Sequence, residues 1–288
     1  MNVKTKPQTL RYKLSLFINR LSKTFFRDEF FLRKKIKPFI IIFLKLKYKR
    51  GFPVNIGGMQ RVLFDPTFYF ANWENFGGGH NSGFEECFTE AIKSSVFMDI
   101  GAHIGLYSIP IALRSPTTKV YSFEPAIFNF NMLSKHIMLN KLDNVEAFNV
   151  LVGETKSDTV AFLEDDTGIN PMNSLADVSK TKENITTHKS MIQLDDFCRS
   201  KNILPEVMKI DVEGAEVQVI KGALETISKC RPKIFLSLHP KHIKALGDNT
   251  EDILKIFSEL DYRIETYDGR DNSNFRDNEV LLIPRVHS

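Results

Sequence analysis

Apolar and polar positions change their period several times along this chain. From residue 96 onward, short apolar runs alternate with stretches whose apolar residues recur every three or four positions. The runs predict strands over 96–100, 119–123, 145–150, 206–211, 233–238, 262–267 and 279–284. The stretches between them predict helices over 105–114, 128–140, 194–200, 215–226 and 250–260. Alternation of this kind implies a mostly parallel, doubly wound sheet with helices on both faces. Only Asp268 to Asn278, which has no helical pattern, separates the last two strands. Those two should therefore pair antiparallel. An insertion over 151–193 holds one hairpin-like run, Val160 to Leu163. Its polar stretch, Asp165 to Lys189, reads as irregular and placed to cover the site.

Upstream, residues 51–92 hold strand-like pieces (Gln60 to Phe64, Thr67 to Phe70), a glycine-rich loop over 77–83, and a helix from Phe84 to Lys93. Residues 1–50 differ in kind. Leu14, Phe17, Ile18, Leu21, Phe25 and Phe26 recur at helical spacing, with Arg11, Lys13, Arg20, Lys23 and Arg27 between them. A run of six apolar residues ends at Leu44, with lysines on both sides. As a helix it spans about 9 Å, against about 30 Å of hydrocarbon, so it does not cross a bilayer. The pattern divides the chain into a basic amphipathic extension (1–50), a linker and lid region (51–92) and a main domain (93–288).

Charge sharpens that division. Residues 1–50 carry 15 Lys/Arg and two acids, a net +13, while the other 238 residues carry 24 basic and 33 acidic groups, a net −9. A basic, apolar arm on an acidic body suits an interfacial helix on an anionic membrane surface, which places the protein in the cytoplasm, peripheral to the inner face of a membrane. The alternative is a helix packed on the main domain with a solvated basic face. An acidic body argues against nucleic acid as the partner. Cys87, Cys198 and Cys230 are scattered and odd in number, so neither a disulfide framework nor a zinc site is supported.

Open parallel sheets bind ligands beyond the carboxyl ends of their strands. The first turn there reads Asp99-Ile100-Gly101-Ala102-His103-Ile104-Gly105. Gly101 lets the backbone approach a ligand, and Gly105 lets the helix start against the strand. His103 stands where a dinucleotide fingerprint has its middle glycine, so a pyrophosphate fits poorly. Glu124, at the end of the next strand, can accept both hydrogen bonds of a ribose diol. A nucleoside cofactor is the first hypothesis. Asp211 and Glu213 crowd the turn after the fourth strand, with Glu216 in the first helical turn. His239 closes the fifth strand beside Asp211 and can serve as a general base.

Together these residues resemble the FkbM family of S-adenosylmethionine-dependent methyltransferases. The likeness lies in Asp99 to Ser108, Phe123-Glu124-Pro125, Leu139-Asn140, Lys209 to Glu216 and Lys221-Gly222-Ala223. It implies a class I methyltransferase fold: a seven-stranded Rossmann-like sheet with an antiparallel last strand. It also implies S-adenosylmethionine as cofactor and O-methylation of a glycan, lipid-linked saccharide or natural-product hydroxyl. On this reading Asp99, Gly101, Ala102, His103, Gly105 and Glu124 hold the cofactor. His239 takes the hydroxyl proton, with Asp211 orienting it or binding the acceptor, and Glu213 is the third catalytic candidate. No metal ligand set is assigned, although carboxylates at 211 and 213 can hold a divalent ion in place of a base. The family usually carries a carboxylate at Ser237 or Leu238, which this chain lacks. Two rivals stand beside this reading: a nicotinamide enzyme on a similar sheet, and a non-catalytic membrane adaptor that keeps a cofactor fold.

Overall fold

Val96–Ile100 (β3) is apolar at all but one position and buried along nearly its whole length, as a strand with helices on both sides must be. It lies inside a seven-stranded sheet of order β11-β12-β10-β9-β3-β4-β5, in which β4 is Lys119–Phe123, β5 Val145–Phe148, β9 Val207–Ile210, β10 Lys233–Ser237, β11 Tyr262–Glu265 and β12 Glu279–Pro284. This computed structural model describes residues 39, 41–56, 59–68, 83–165, 184–275 and 277–285. β3, β4, β5, β9 and β10 run parallel, and β12 is antiparallel to both β10 and β11. All seven predicted strands form, and the last two pair antiparallel as expected. Their places in the sheet are a tertiary outcome: β12 inserts between β10 and β11.

The helices cover the sheet as the three-to-four-residue period predicts, with two differences. The single helix expected over 215–226 is two helices, Glu216–Lys221 and Leu224–Cys230. The break falls at Gly222, where a Cβ would sit 2.0 Å from the Gly153 carbonyl oxygen, and whose own carbonyl accepts from the Asp195 N–H. A close backbone crossing thus overrides helix continuation. A further helix, Pro240–Ala245, begins directly after His239, with proline in its first turn. The main core gathers Met98, Ile100, Phe123, Ile210, Leu236 and Val280 from the sheet with Val217, Ile220, Ile227, Ile253 and Phe257 from the helices.

The insertion after β5 is more regular than its polarity implies. β7 (Ser157–Asp165) pairs antiparallel with β8 (Asn184–Ile192), and β8 also pairs parallel with β6 (Leu151–Val152). Residues 184–189, expected to be irregular, are therefore strand. The polar side chains pair with one another: Lys189 and Thr187 both reach Glu164, which also accepts from the Ile127 N–H. Residues 166–183 lie outside the described residues, as do the arm over 1–38 and the glycine-rich loop up to residue 82.

The chain divides into two compact units, 1–81 and 82–288. The reading by composition put the boundary at residue 93. The helix Phe84–Ala91 falls instead in the larger unit, where the Phe84 ring lies 5.0 Å from that of Tyr107. In the smaller unit, β1 (Phe52–Ile56), not foreseen, pairs antiparallel with β2 (Met59–Phe64), and Phe52, Val54, Val62 and Phe64 are buried. Thr67 and Phe68, expected in a strand, lie in a short 3-10 turn. Residues 41–47 are helical. No helix among the described residues is long and apolar enough to cross a membrane.

Candidate active site

The carboxyl ends of β4, β3, β9 and β10 are neighbours in the sheet, so Glu124, Asp99, Asp211 and His239 follow one another along one edge. The turn after β3 is held from below. The Gly101 and Ala102 N–H groups both donate to the Phe123 carbonyl, and the buried His136 Nδ1 lies 2.8 Å from the Ile104 carbonyl. Gly101 has φ +84°, and a Cβ there would sit 1.9 Å from the Asp211 carbonyl oxygen. Glycine is required at this position because β3 and the turn after β9 come this close. His103 takes a left-handed φ of 51° without being glycine, a conformation held only by its surroundings.

Asp99 is fully buried. Its Oδ2 accepts from Ser108 Oγ at 2.6 Å, and its Oδ1 lies 3.8 Å from Lys209 Nζ. Burial raises its pKa against the pull of Lys209. This residue shapes the turn through Ser108 and Lys209. Glu124 is also buried: Oε2 accepts from the His103 N–H at 2.7 Å and Oε1 from the Ala126 N–H at 2.9 Å. Burial pushes its pKa up to about 7, against those two bonds. The Asn129 side chain also donates to this carboxylate, which keeps acceptor capacity for a ligand hydroxyl.

The cluster at β9 and β10 is denser. Lys209 Nζ lies 3.2 Å from Asp211 Oδ2 and 4.8 Å from the centre of the Tyr107 ring. Asp211 Oδ1 stands 3.9 Å from His239 Nε2, and Glu213 Oε2 stands 3.4 Å from the same nitrogen. Burial alone would raise the Asp211 pKa, but the charges of Lys209 and His239 and the Lys209 hydrogen bond together outweigh it and the pKa falls. Burial raises that of Glu213. Burial works against the charged form of His239, yet its hydrogen bond to Glu216 and the charges of Glu213, Glu216 and Asp211 win, and its pKa rises to about 9. The turn is tight: Glu213 has φ 51° and Gly214 φ 117°, and a Cβ on Gly214 would lie 2.6 Å from His242 Cβ.

Three members of this cluster carried no role in the sequence reading. Glu216, placed there only in the first helical turn, is fully buried, and its Oε1 lies 2.7 Å from His239 Nδ1. His242 stacks on His239 with ring centres 5.8 Å apart, and its Nδ1 lies 3.4 Å from Glu213 Oε2. Its signal was its spacing of three from His239, visible only once residues 240–245 are helical. Glu279 is the third. β12 sets it opposite Ser237, whose hydroxyl donates to it at 2.8 Å, and Tyr267 donates to the same oxygen at 3.0 Å. A carboxylate thus arrives beside Ser237 from the adjacent strand.

The residues beyond β3 and β4 fit S-adenosylmethionine. His103 Nε2 is enclosed with no hydrogen-bond partner among the described residues, next to a Glu124 carboxylate with spare acceptor capacity. Burial lowers the His103 pKa to about 4, so its ring is neutral at pH 7. A nucleoside supplies both a partner for that ring and hydroxyl donors for Glu124.

Residues 99–264 match the profile described as the methyltransferase FkbM domain. The chain is similar to "Methyltransferase 1" of Beauveria bassiana (strain ARSEF 2860), 26% identical over 148 residues that cover 44% of this chain and 58% of that protein. Among solved structures it resembles the FkbM methyltransferase of Methylobacillus flagellatus KT (20% identity, TM-score 0.41, covering 66% of this chain and 43% of that one). A putative O-methyltransferase from Klebsiella pneumoniae is also similar (10% identity, TM-score 0.40, covering 73% and 84%). The chain therefore spans less than two thirds of the curated relative it matches.

Proposed function

The chain belongs to the FkbM family of S-adenosylmethionine-dependent methyltransferases, and we propose that it methylates a hydroxyl oxygen held between Asp211, Glu213 and His239. The observation that supports this is the placement of two chemistries on adjacent strand ends: a nucleoside-compatible turn at 99–105 with Glu124, and a proton-handling cluster at 211–216 and 239. Bound there, S-adenosylmethionine supplies a sulfonium methyl to an acceptor oxygen. Glu124 holds the ribose hydroxyls, and His103 Nε2 gains the partner it lacks. Asp211 and Glu213 orient the acceptor hydroxyl, and His239 Nε2 takes its proton. With a pKa near 9, that nitrogen is an effective acceptor once deprotonated, so the rate should climb as pH rises toward 9. Alignment of the hydroxyl is the protein's other large contribution. The acceptor is a saccharide or lipid-linked saccharide.

We also propose that the N-terminal part seats on an anionic membrane surface. Phe39, Ile42, Phe43 and Leu46 recur at helical spacing and are more than half exposed, with Lys45, Lys47, Lys49 and Arg50 among and after them.

Calorimetry with S-adenosylmethionine and with NAD, then transfer of labelled methyl to glycan and lipid extracts, tests the first reading. The expected result is saturable S-adenosylmethionine binding and label on oxygen. Binding of NAD alone, or label on nitrogen, would sink it. Co-sedimentation with anionic liposomes tests the second. Phe43→Glu with Leu46→Glu should release the protein, and unchanged partitioning removes the membrane reading.

A further inference from the structure

Asp211 Oδ1, Glu213 Oε2 and His239 Nε2 come from two strand ends and lie within 4.8 Å of one another. What surrounds them prepares Asp211 and His239 to accept. Lys209 engages the other oxygen of Asp211, at 3.2 Å, and leaves Oδ1 facing the histidine. Buried Glu216 binds His239 through Nδ1, which fixes the ring and directs the Nε2 lone pair at the two carboxylates. Glu213 Oε2 also faces His242 Nδ1 at 3.4 Å, and His239 Nε2 joins the two oxygens as an acceptor once it has lost its proton. Their separations from Nε2 are 3.4 and 3.9 Å, the first at the outer edge of hydrogen-bonding distance and the second beyond it. Adjacent ligand atoms about 2.1 Å from one ion stand about 3.0 Å apart at octahedral angles and about 3.4 Å apart at tetrahedral ones, so an ion would draw the three atoms together by some tenths of an ångström to about one ångström.

A second observation points the same way. Glu216 is fully buried, reaches into the cluster through Oε1, and keeps Oε2 without a hydrogen-bond partner. With Asp211 and Glu213 it places three carboxylates around His239, with His242 stacked beside it, and Lys209 is shared between Asp211 and Asp99. A carboxylate behind a ligating histidine, on its other nitrogen, is the usual outer shell of a metal-bound imidazole.

From this geometry we propose that Asp211, Glu213 and His239 Nε2 bind one divalent cation, oriented by Glu216. Two oxygens and one imidazole suit a manganese-like ion better than calcium, which takes oxygen alone, or a thiophilic metal. The proposal rests on the reading of this cluster as the acceptor site and changes how the hydroxyl is activated. The cation takes the place at Nε2 that a proton would hold. An acceptor hydroxyl that joins its coordination shell then loses its proton to solvent at a lower pH, and no protein base is needed.

The test uses the full chain, stripped with a chelator and titrated with Mn2+ in the absence of methyl donor and acceptor. Free Mn2+ is read by electron paramagnetic resonance. One saturable site is expected, weakened tenfold or more in Asp211→Asn and in Glu213→Gln, and unchanged in the exposed Glu225→Gln. Far-UV circular dichroism checks that each variant is folded. Glu213, on a partly exposed turn, is the milder change should Asp211→Asn fail to fold. Absence of saturable binding at millimolar Mn2+, or equal binding in wild type and folded Glu213→Gln, overturns the site. Binding without methyl transfer to any hydroxyl supports the cation site and counts against the functional reading alone.

Discussion

His239 Nδ1 lies 2.7 Å from Oε1 of Glu216, a carboxylate with no solvent exposure. The pair sets both the direction of the imidazole and its proton affinity. A charged hydrogen bond of this kind contributes about 1.5–3 kcal/mol. Glu216 touches neither the proposed acceptor position nor the cofactor turn, so it is a positioning residue.

Glu216→Gln keeps the side chain's shape and removes its charge. The titration midpoint of His239 in the metal-free protein should fall by at least about one pH unit from its value near 9. Histidine ring signals in NMR read this directly. Glu216→Asp, which restores the charge, should recover part of the midpoint. A midpoint that stays near 9 in Glu216→Gln removes the positioning role.

The same pKa predicts a stability window. The folded value lies above the unfolded value of about 6.5, so the stabilisation is complete below about pH 6.5 and is lost as pH rises through 9. Wild type should exceed His239→Asn by up to about 3 kcal/mol at pH 6, and the gap should close above pH 9. Urea unfolding at a series of pH values measures it. A gap that is constant with pH contradicts the assignment.

Gly101 and Gly247 form a matched pair for testing close approach. Both have positive φ, +84° and +87°, but an added Cβ meets the Asp211 carbonyl at the first and nothing within 4 Å at the second. Gly247→Ala should cost about 1–2 kcal/mol, the left-handed penalty alone. Gly101→Ala should cost well over about 3 kcal/mol, or prevent folding, since backbone must move. Equal costs in denaturant melts would show that the β3–β9 crossing is loose.

Lys209 links the turn after β3 to the cluster of Asp211, Glu213 and His239, because it pairs with both Asp99 and Asp211. Lys209→Met removes the cation and leaves a fully buried carboxylate without its counter-charge. The expected loss is about 3–5 kcal/mol at pH 7 and smaller at pH 4, nearer the raised pKa of Asp99. Chemical denaturation at the two pH values gives the comparison. A loss under about 1 kcal/mol at pH 7 would mean that Asp99 does not depend on Lys209.

Much of this architecture was readable before any coordinates. The apolar runs from Val96 to Pro284 predicted every strand of the main sheet, because a strand buried on both faces must be continuously apolar. The strand-end rule also brought Asp99, Glu124, Asp211 and His239 forward, because a parallel sheet delivers all its carboxyl ends to one edge. Polarity misled at residues 184–189, where Lys189 and Thr187 satisfy Glu164 across a strand pair. The split at Gly222 was equally hidden, since its cause is the Gly153 carbonyl, 69 positions away.

Local pattern therefore settled element type and the chemistry at strand ends, both of which depend on neighbours within a few residues. Which groups face one another depended on the tertiary structure alone. Glu216 behind His239, His242 beside Glu213, Lys209 between two aspartates and Glu279 opposite Ser237 exist as pairs only after the β9 and β10 turns have packed and β12 has entered between β10 and β11. Burial then converts those contacts into function, because a charge removed from water takes its properties from whichever group the fold places next to it.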